Sequence, residues 1–181
     1  VFYLLEKKDG QLVKKKLLPA LFVPMTGISE DNRQVLPDPL KPTVRNGSFE
    51  IDTDNDGYPD GWHYQRQNIM ETDSAPDGRV YMTFSNVDQG RGAQMLQGMA
   101  LDGSKISSVQ ISIFVRGQNL KSGLRAYERP SLILHYFDAD RKPVGEETIG
   151  PWTGTFAWRK AQATLQVPAR AREAIIRIGL N

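Results

Sequence analysis

The sequence predicts an all-β protein: an antiparallel β-sandwich preceded by a β-hairpin and a proline-rich linker. Three observations lead there. From Val44 onward, apolar residues recur with a period of two in one segment after another. Gly, Pro, Asp and Asn separate those segments, and no long stretch carries the 3.6-residue period of an amphipathic helix. Ahead of them, residues 1–27 read as strand, turn and returning strand.

Taken in order, Phe2-Tyr3-Leu4-Leu5-Glu6 alternates, Asp9-Gly10 is a two-residue turn signal, and Gln11–Lys16 leads into the apolar run Leu17–Val23. A lone two-stranded ribbon is marginal in water. The hairpin is therefore expected to finish a larger sheet, with the chain a fragment of a longer protein. Lys14-Lys15-Lys16 reads as solvated edge-strand lysines that discourage sheet-to-sheet aggregation. The open edges also predict self-association through residues 2–23. Ile28 to Thr43 reads as a linker, because prolines at 37, 39 and 42 stiffen it and deny it ladder hydrogen bonds. A domain boundary is expected near Thr43.

The sandwich would span residues 44–181. Val80, Met82 and Phe84 alternate with Arg79, Tyr81 and Thr83. Val109, Ile111, Ile113 and Val115 alternate with Gln110, Ser112, Phe114 and Arg116. Leu132, Leu134 and Tyr136 form one parity, as do Ala161, Ala163, Leu165 and Val167, and then Ala174, Ile176, Ile178 and Leu180. So many short strands between turn signals point to a sandwich.

With 181 residues there is room for one domain and an appendage. A hydrophobic content of 39% and a mean hydropathy of −0.45 fit a soluble globular chain. Neither a membrane-length apolar run nor a signal peptide is present, so no membrane partner is expected. The absence of cysteine excludes disulfides, thiolate metal sites and a Cys nucleophile, and suits a reducing, cytoplasmic setting. A net charge of +2 without a basic, aromatic-interleaved stripe predicts no nucleic-acid partner.

The densest chemistry lies in Asp52-Thr53-Asp54-Asn55-Asp56-Gly57-Tyr58-Pro59-Asp60. Acids at alternate positions gather hard oxygen donors around one point, Gly57 permits the sharp turn, and such a set suits Ca²⁺. Asp52, Asp54, Asp56 and Asp60 match positions one, three, five and nine of an EF-hand loop, but position twelve is His63 where a bidentate Glu belongs. The pattern is nearer the short Asp-x-Asp-x-Asp-Gly-x-x-Asp loops of β-proteins. Tyr81, Phe114, His135 and Trp158 fall away from the core parity and are the candidates for a ligand-binding concave face, as a sugar platform requires. Catalysis is not expected: His63 and His135 are the only histidines, and neither sits in a nucleophile–base or metal-ligand signature.

Two resemblances add to this reading. Tyr3-Leu4-Leu5-Glu6-Lys7-Lys8-Asp9-Gly10, then Leu17-Leu18-Pro19-Ala20-Leu21-Phe22-Val23-Pro24-Met25-Thr26-Gly27, resembles the last two strands of protein-L-isoaspartate O-methyltransferases. Those enzymes have a doubly wound sheet that binds S-adenosylmethionine through a Gly-rich loop after the first strand. That loop is not in this sequence. The resemblance implies a parent that methylates isoaspartyl carboxylates in protein repair, with this fragment inactive alone and the methyltransferase domain as its partner.

The second covers most of residues 44–181. Asn46-Gly47-Ser48-Phe49-Glu50, Asp60-Gly61-Trp62, Gln94-Met95-Leu96-Gln97, Ile111–Gly117, and Trp158-Arg159-Lys160 followed by Val167-Pro168 resemble galactose-binding-like jelly-roll modules, among them many carbohydrate-binding modules. The resemblance implies a jelly roll, a core position for Trp62, a glycan as alternative partner, and a role for Glu50 beside a structural calcium. Such modules usually close with a further strand bearing an Asp-Asp pair, whereas this sequence stops at Gly179-Leu180-Asn181.

Overall fold

The computed structural model describes residues 3–8, 11–16, 37–88, 90–125 and 128–180. They fall into two compact units, Val1–Leu36 and Pro37–Asn181. Among the described residues there is no helix, and all strand pairs are antiparallel.

The first unit holds β1 (Tyr3–Lys8) and β2 (Gln11–Lys16). Their register runs from Tyr3 opposite Lys16 to Lys8 opposite Gln11. The expected Asp9-Gly10 turn, the apolar run 17–23 and linker residues 28–36 lie outside the described residues. Residues 37–43, also expected in the linker, belong to the second unit, where Asp102 N donates to the Pro39 carbonyl at 3.0 Å.

The second unit is an antiparallel β-sandwich. Its strands are β3 (His63–Arg66), β4 (Asn68–Glu71), β5 (Tyr81–Phe84), β6 (Ala93–Ala100), β7 (Ser108–Leu120), β8 (Pro130–Phe137), β9 (Pro143–Ile149), β10 (Gly154–Gln166) and β11 (Glu173–Leu180). One sheet has five strands in the order β3-β6-β11-β8-β9, while β7 pairs with β10 and β4 with β5 as separate ribbons.

Register explains the core. On β11, Ile178 stands between Met95 and Leu132, Ile176 between Gln97 and Leu134, and Ala174 between Met99 and Tyr136. Apart from Gln97, these rows present an apolar face, on which Val109, Ile111 and Ile113 of β7 and Ala161, Ala163 and Leu165 of β10 pack from the other side. Each fully buried Leu or Ile contributes about 1.5–3 kcal/mol relative to exposure. The period-two parity read from β7, β8, β10 and β11 is the parity that forms this core. No helix among the described residues is long and apolar enough to cross a membrane.

The Asn-Gly-x-Phe-Glu opening is a backbone staple. Asn46 adopts φ 47°, a left-handed conformation that Asn tolerates better than most residues. Its side chain accepts from Ile51 N at 3.1 Å and donates to the carbonyls of Ile51 and Asp60 at 2.8 and 3.1 Å. Trp62 is buried, as the resemblance implied. Its ring lies 5.5 Å from Phe49, and its Nε1 donates to the Asn46 carbonyl at 3.1 Å.

Candidate functional site

The sandwich carries an apolar cavity of about 500 Å³, and three of the four ligand candidates line it: Tyr81, Phe114 and Trp158. β5 brings Tyr81, β7 brings Phe114 and Arg116, and β10 brings Trp158 and Lys160. The Tyr81 and Trp158 rings meet edge to face with centroids 5.2 Å apart. The Arg116 guanidinium lies 4.9 Å from the Trp158 centroid and 5.2 Å from the Tyr81 centroid, within cation–π range of both. Arg116 Nη2 donates to Tyr81 Oη at 3.1 Å, Tyr81 Oη donates to Asp73 Oδ1 at 2.9 Å, and Trp158 Nε1 donates to the Ser74 carbonyl at 3.0 Å. Burial and then the bond to Asp73 push the Tyr81 phenol above its ordinary value, so it stays a neutral donor.

Tyr81 is 8% exposed, so it belongs to the packed body of the sandwich as well as to the cavity wall. Met82 and Phe84 pack on the core and Tyr81 lies on the other parity, where Trp158 and Arg116 cover its ring. Phe114 is 40% exposed, with Lys160 Nζ 6.0 Å from its centroid. This group can stack against a flat, weakly polar ring and offer it cationic hydrogen-bond donors. Sequence reasoning missed Arg116, although it shares the outward parity of Phe114. Asp73 lies in a loop whose sequence carries no signal for the role.

His135 is elsewhere. It sits on β8 opposite Glu146 of β9, with Nδ1 to Oε2 at 3.3 Å, and does not join the aromatic group. Burial, then the charge of Arg177, holds its pKa below the usual value against the pull of Glu146.

In the acidic loop, Asp52, Asp54 and Asp60 each place a carboxylate oxygen within 4.8 Å of the others. Three oxygens so close fit a hard divalent cation. Asp56 stands outside that group and accepts from Tyr58 N at 2.9 Å. Loop amides shape the others: Asp52 accepts from Asp56 N and Gly57 N at 3.2 and 3.1 Å, and Asp60 accepts from Thr53 N and Oγ1 at 3.3 and 2.8 Å. Gly57 has φ +84°, the left-handed value the tight loop requires.

Glu50 stands outside that group. Its Oε1 accepts from Arg79 N at 2.5 Å and Val80 N at 3.0 Å, while Arg79 Nε lies 3.5 Å from Oε2. Those two backbone donors hold its carboxyl below the usual range. Gly78 makes the arrangement possible, because a Cβ there would stand 2.5 Å from Glu50 Oε1. Glu50 ties the chain before the acidic loop to the start of β5 and so helps place Tyr81.

In comparisons with known proteins, no family model and no curated protein matches the chain.

Proposed function

We propose that this chain is a non-catalytic accessory part of a protein-L-isoaspartate O-methyltransferase, acting in the cytoplasm. The β1–β2 hairpin would belong to the methyltransferase sheet, and residues 44–181 would be an appended jelly-roll sandwich. The observation that carries the reading is the hairpin. Its two strands form a compact unit distinct from the sandwich, and they pair with no other strand among the described residues. Such a ribbon needs a larger sheet to be stable, and its residues resemble the strands that end that enzyme's sheet. S-adenosylmethionine would be held by the parent's methyltransferase domain through its Gly-rich loop, which is not in this sequence. Without that sheet, the fragment is expected to self-associate through residues 2–23. The test is methyl transfer to an isoaspartyl peptide by the full protein, with and without residues 44–181. Activity in both forms supports an accessory sandwich; activity in neither overturns the methyltransferase reading.

A second reading is favoured by the Tyr81, Phe114 and Trp158 group: the sandwich is a carbohydrate-binding module that stacks a sugar ring at the cavity mouth. Titration of tryptophan fluorescence with an oligosaccharide panel tests it. A saturable change lost in Trp158→Ala supports the reading, and a flat response across the panel overturns it. In either reading, Asp52, Asp54 and Asp60 would hold a structural Ca²⁺.

A further inference from the structure

The cavity meets β7 at its edge. Ile111, Ile113 and Val115 point to the core, Ser112, Phe114 and Arg116 point outward, and all six consecutive residues line the same space. A cavity against one face of a strand would touch alternate residues only. Adjacent residues Val80, Tyr81 and Met82 line it too, so the cavity reaches the edge of β5 as well. The far edges of both strands are taken, β7 by β10 and β5 by β4. Among the described residues neither near edge has a strand partner. Two unpaired strand edges therefore open onto one apolar slot, with core side chains Leu132, Ile176 and Ile178 at its floor.

Backbone N–H and C=O groups along a strand edge are matched by another strand. A sugar ring cannot match two such rows, but an extended peptide can, with alternate side chains directed into the floor. The outward rim carries Arg116 and Lys160 against Asp77, an excess of positive charge that favours an acidic residue on the solvent side of the occupant. We propose that the slot between β5 and β7 accepts an extended segment of a partner polypeptide, apolar at alternate positions and acidic on its outward side. The bound segment would join β4–β5 to β7–β10 as one continuous sheet. This inference is independent of the methyltransferase reading. It shares the cavity of the glycan reading but rests on backbone pairing instead of ring stacking.

The test is amide hydrogen exchange on the full 181-residue chain, alone and with a synthetic eight-residue peptide of alternating valine and threonine carrying one aspartate among the threonines. A second peptide of the same sequence, N-methylated at alternate amides, cannot pair along one edge. Without peptide, amides of Met82–Phe84 and Ile111–Val115 that do not face β4 or β10 are expected to exchange readily. The first peptide should protect them at least tenfold and the methylated one should not. Lys160→Glu, an exposed substitution, should weaken binding severalfold without altering the unfolding midpoint. Three results would each overturn the proposal: edge amides already protected in the free chain, equal effects of the two peptides, or protection by an oligosaccharide but not by the peptide.

Discussion

Gln97 clasps the backbone of Arg45 from both sides: its Oε1 accepts from Arg45 N at 2.7 Å, and its Nε2 donates to the Arg45 carbonyl at 2.9 Å. The same Nε2 donates to the Gly61 carbonyl at 3.0 Å. A side-chain amide on β6, 1% exposed, thus serves as the ladder partner of a segment that has no strand beside it. It fixes the start of the sandwich, including Asn46 and Trp62, against the five-stranded sheet.

Gln97→Ala is expected to cost about 3 kcal/mol, because one amide and two carbonyls lose their partner where water has little access. Urea denaturation with an unchanged slope would register this as a lower midpoint. A loss well below 1 kcal/mol would mean that the opening segment is held by other contacts.

Tyr136 predicts an alkaline weakness. Its ring is fully buried and its hydroxyl has no hydrogen-bond partner among the described residues. Burial, then the charge of Glu147, pushes its pKa from 10.0 up to about 12. A raised folded value means the neutral phenol is favoured by folding. That stability is complete below pH 10 and is lost as the pH climbs toward about 12, by about 2–3 kcal/mol in all. Tyr136→Phe should abolish this alkaline loss and leave neutral-pH stability unchanged or raised by about 1 kcal/mol. Denaturation midpoints at neutral and alkaline pH decide it, and a marked loss at neutral pH in the variant would contradict the unpartnered hydroxyl.

The His135–Glu146 pair predicts the opposite pH limb. The folded protein favours neutral His135, so the associated stability is complete above the ordinary value of 6.5 and falls as the pH drops below it. Glu146→Gln removes the group that pulls the value upward and should lower it further. An NMR titration of the imidazole C–H resonances measures both. A rise in the variant would show that Glu146 does not face the protonated ring.

Calcium should act through Asp52, Asp54 and Asp60. At a hundred times its dissociation constant, it is expected to stabilise the sandwich by about 2.7 kcal/mol, raising the thermal midpoint reversibly with chelator. Asp54→Asn should remove most of that gain, while Asp56→Asn, outside the three-oxygen group, should retain it. A midpoint indifferent to calcium would make the loop a solvated acidic turn.

Much of the fold was legible because burial of one sheet face writes a period of two into the chain. Alternate residues of Val109–Ile113, Leu132–Tyr136, Ala161–Val167 and Ala174–Ile178 face the core for that reason. Where the pattern fails, the cause is local. β3 and β4 have four residues each, and positive φ values at Tyr64 and Gln67 interrupt them, leaving too few positions for a period to emerge. β6 places polar Gln97 at an inward position, so its alternation reads poorly until Arg45 and Gly61 are seen beside it. Tyr81 was assigned away from the core, yet it is buried, because the Arg116 guanidinium, 35 residues away, and the Trp158 ring, 77 residues away, close over it.

By itself, the sequence determined the all-β class, the inward parity of the principal strands and the acidic loop, since each depends on residues near one another in the chain. Only the tertiary structure decided that Tyr81, Phe114 and Trp158 share a cavity while His135 stands apart. It alone placed Asp52, Asp54 and Asp60 together without Asp56 and Glu50, and left β5 and β7 each with one partner strand among the described residues. Those outcomes depend on which strands become neighbours, and strand pairing between distant segments is set by the packing of whole faces, which no local pattern specifies.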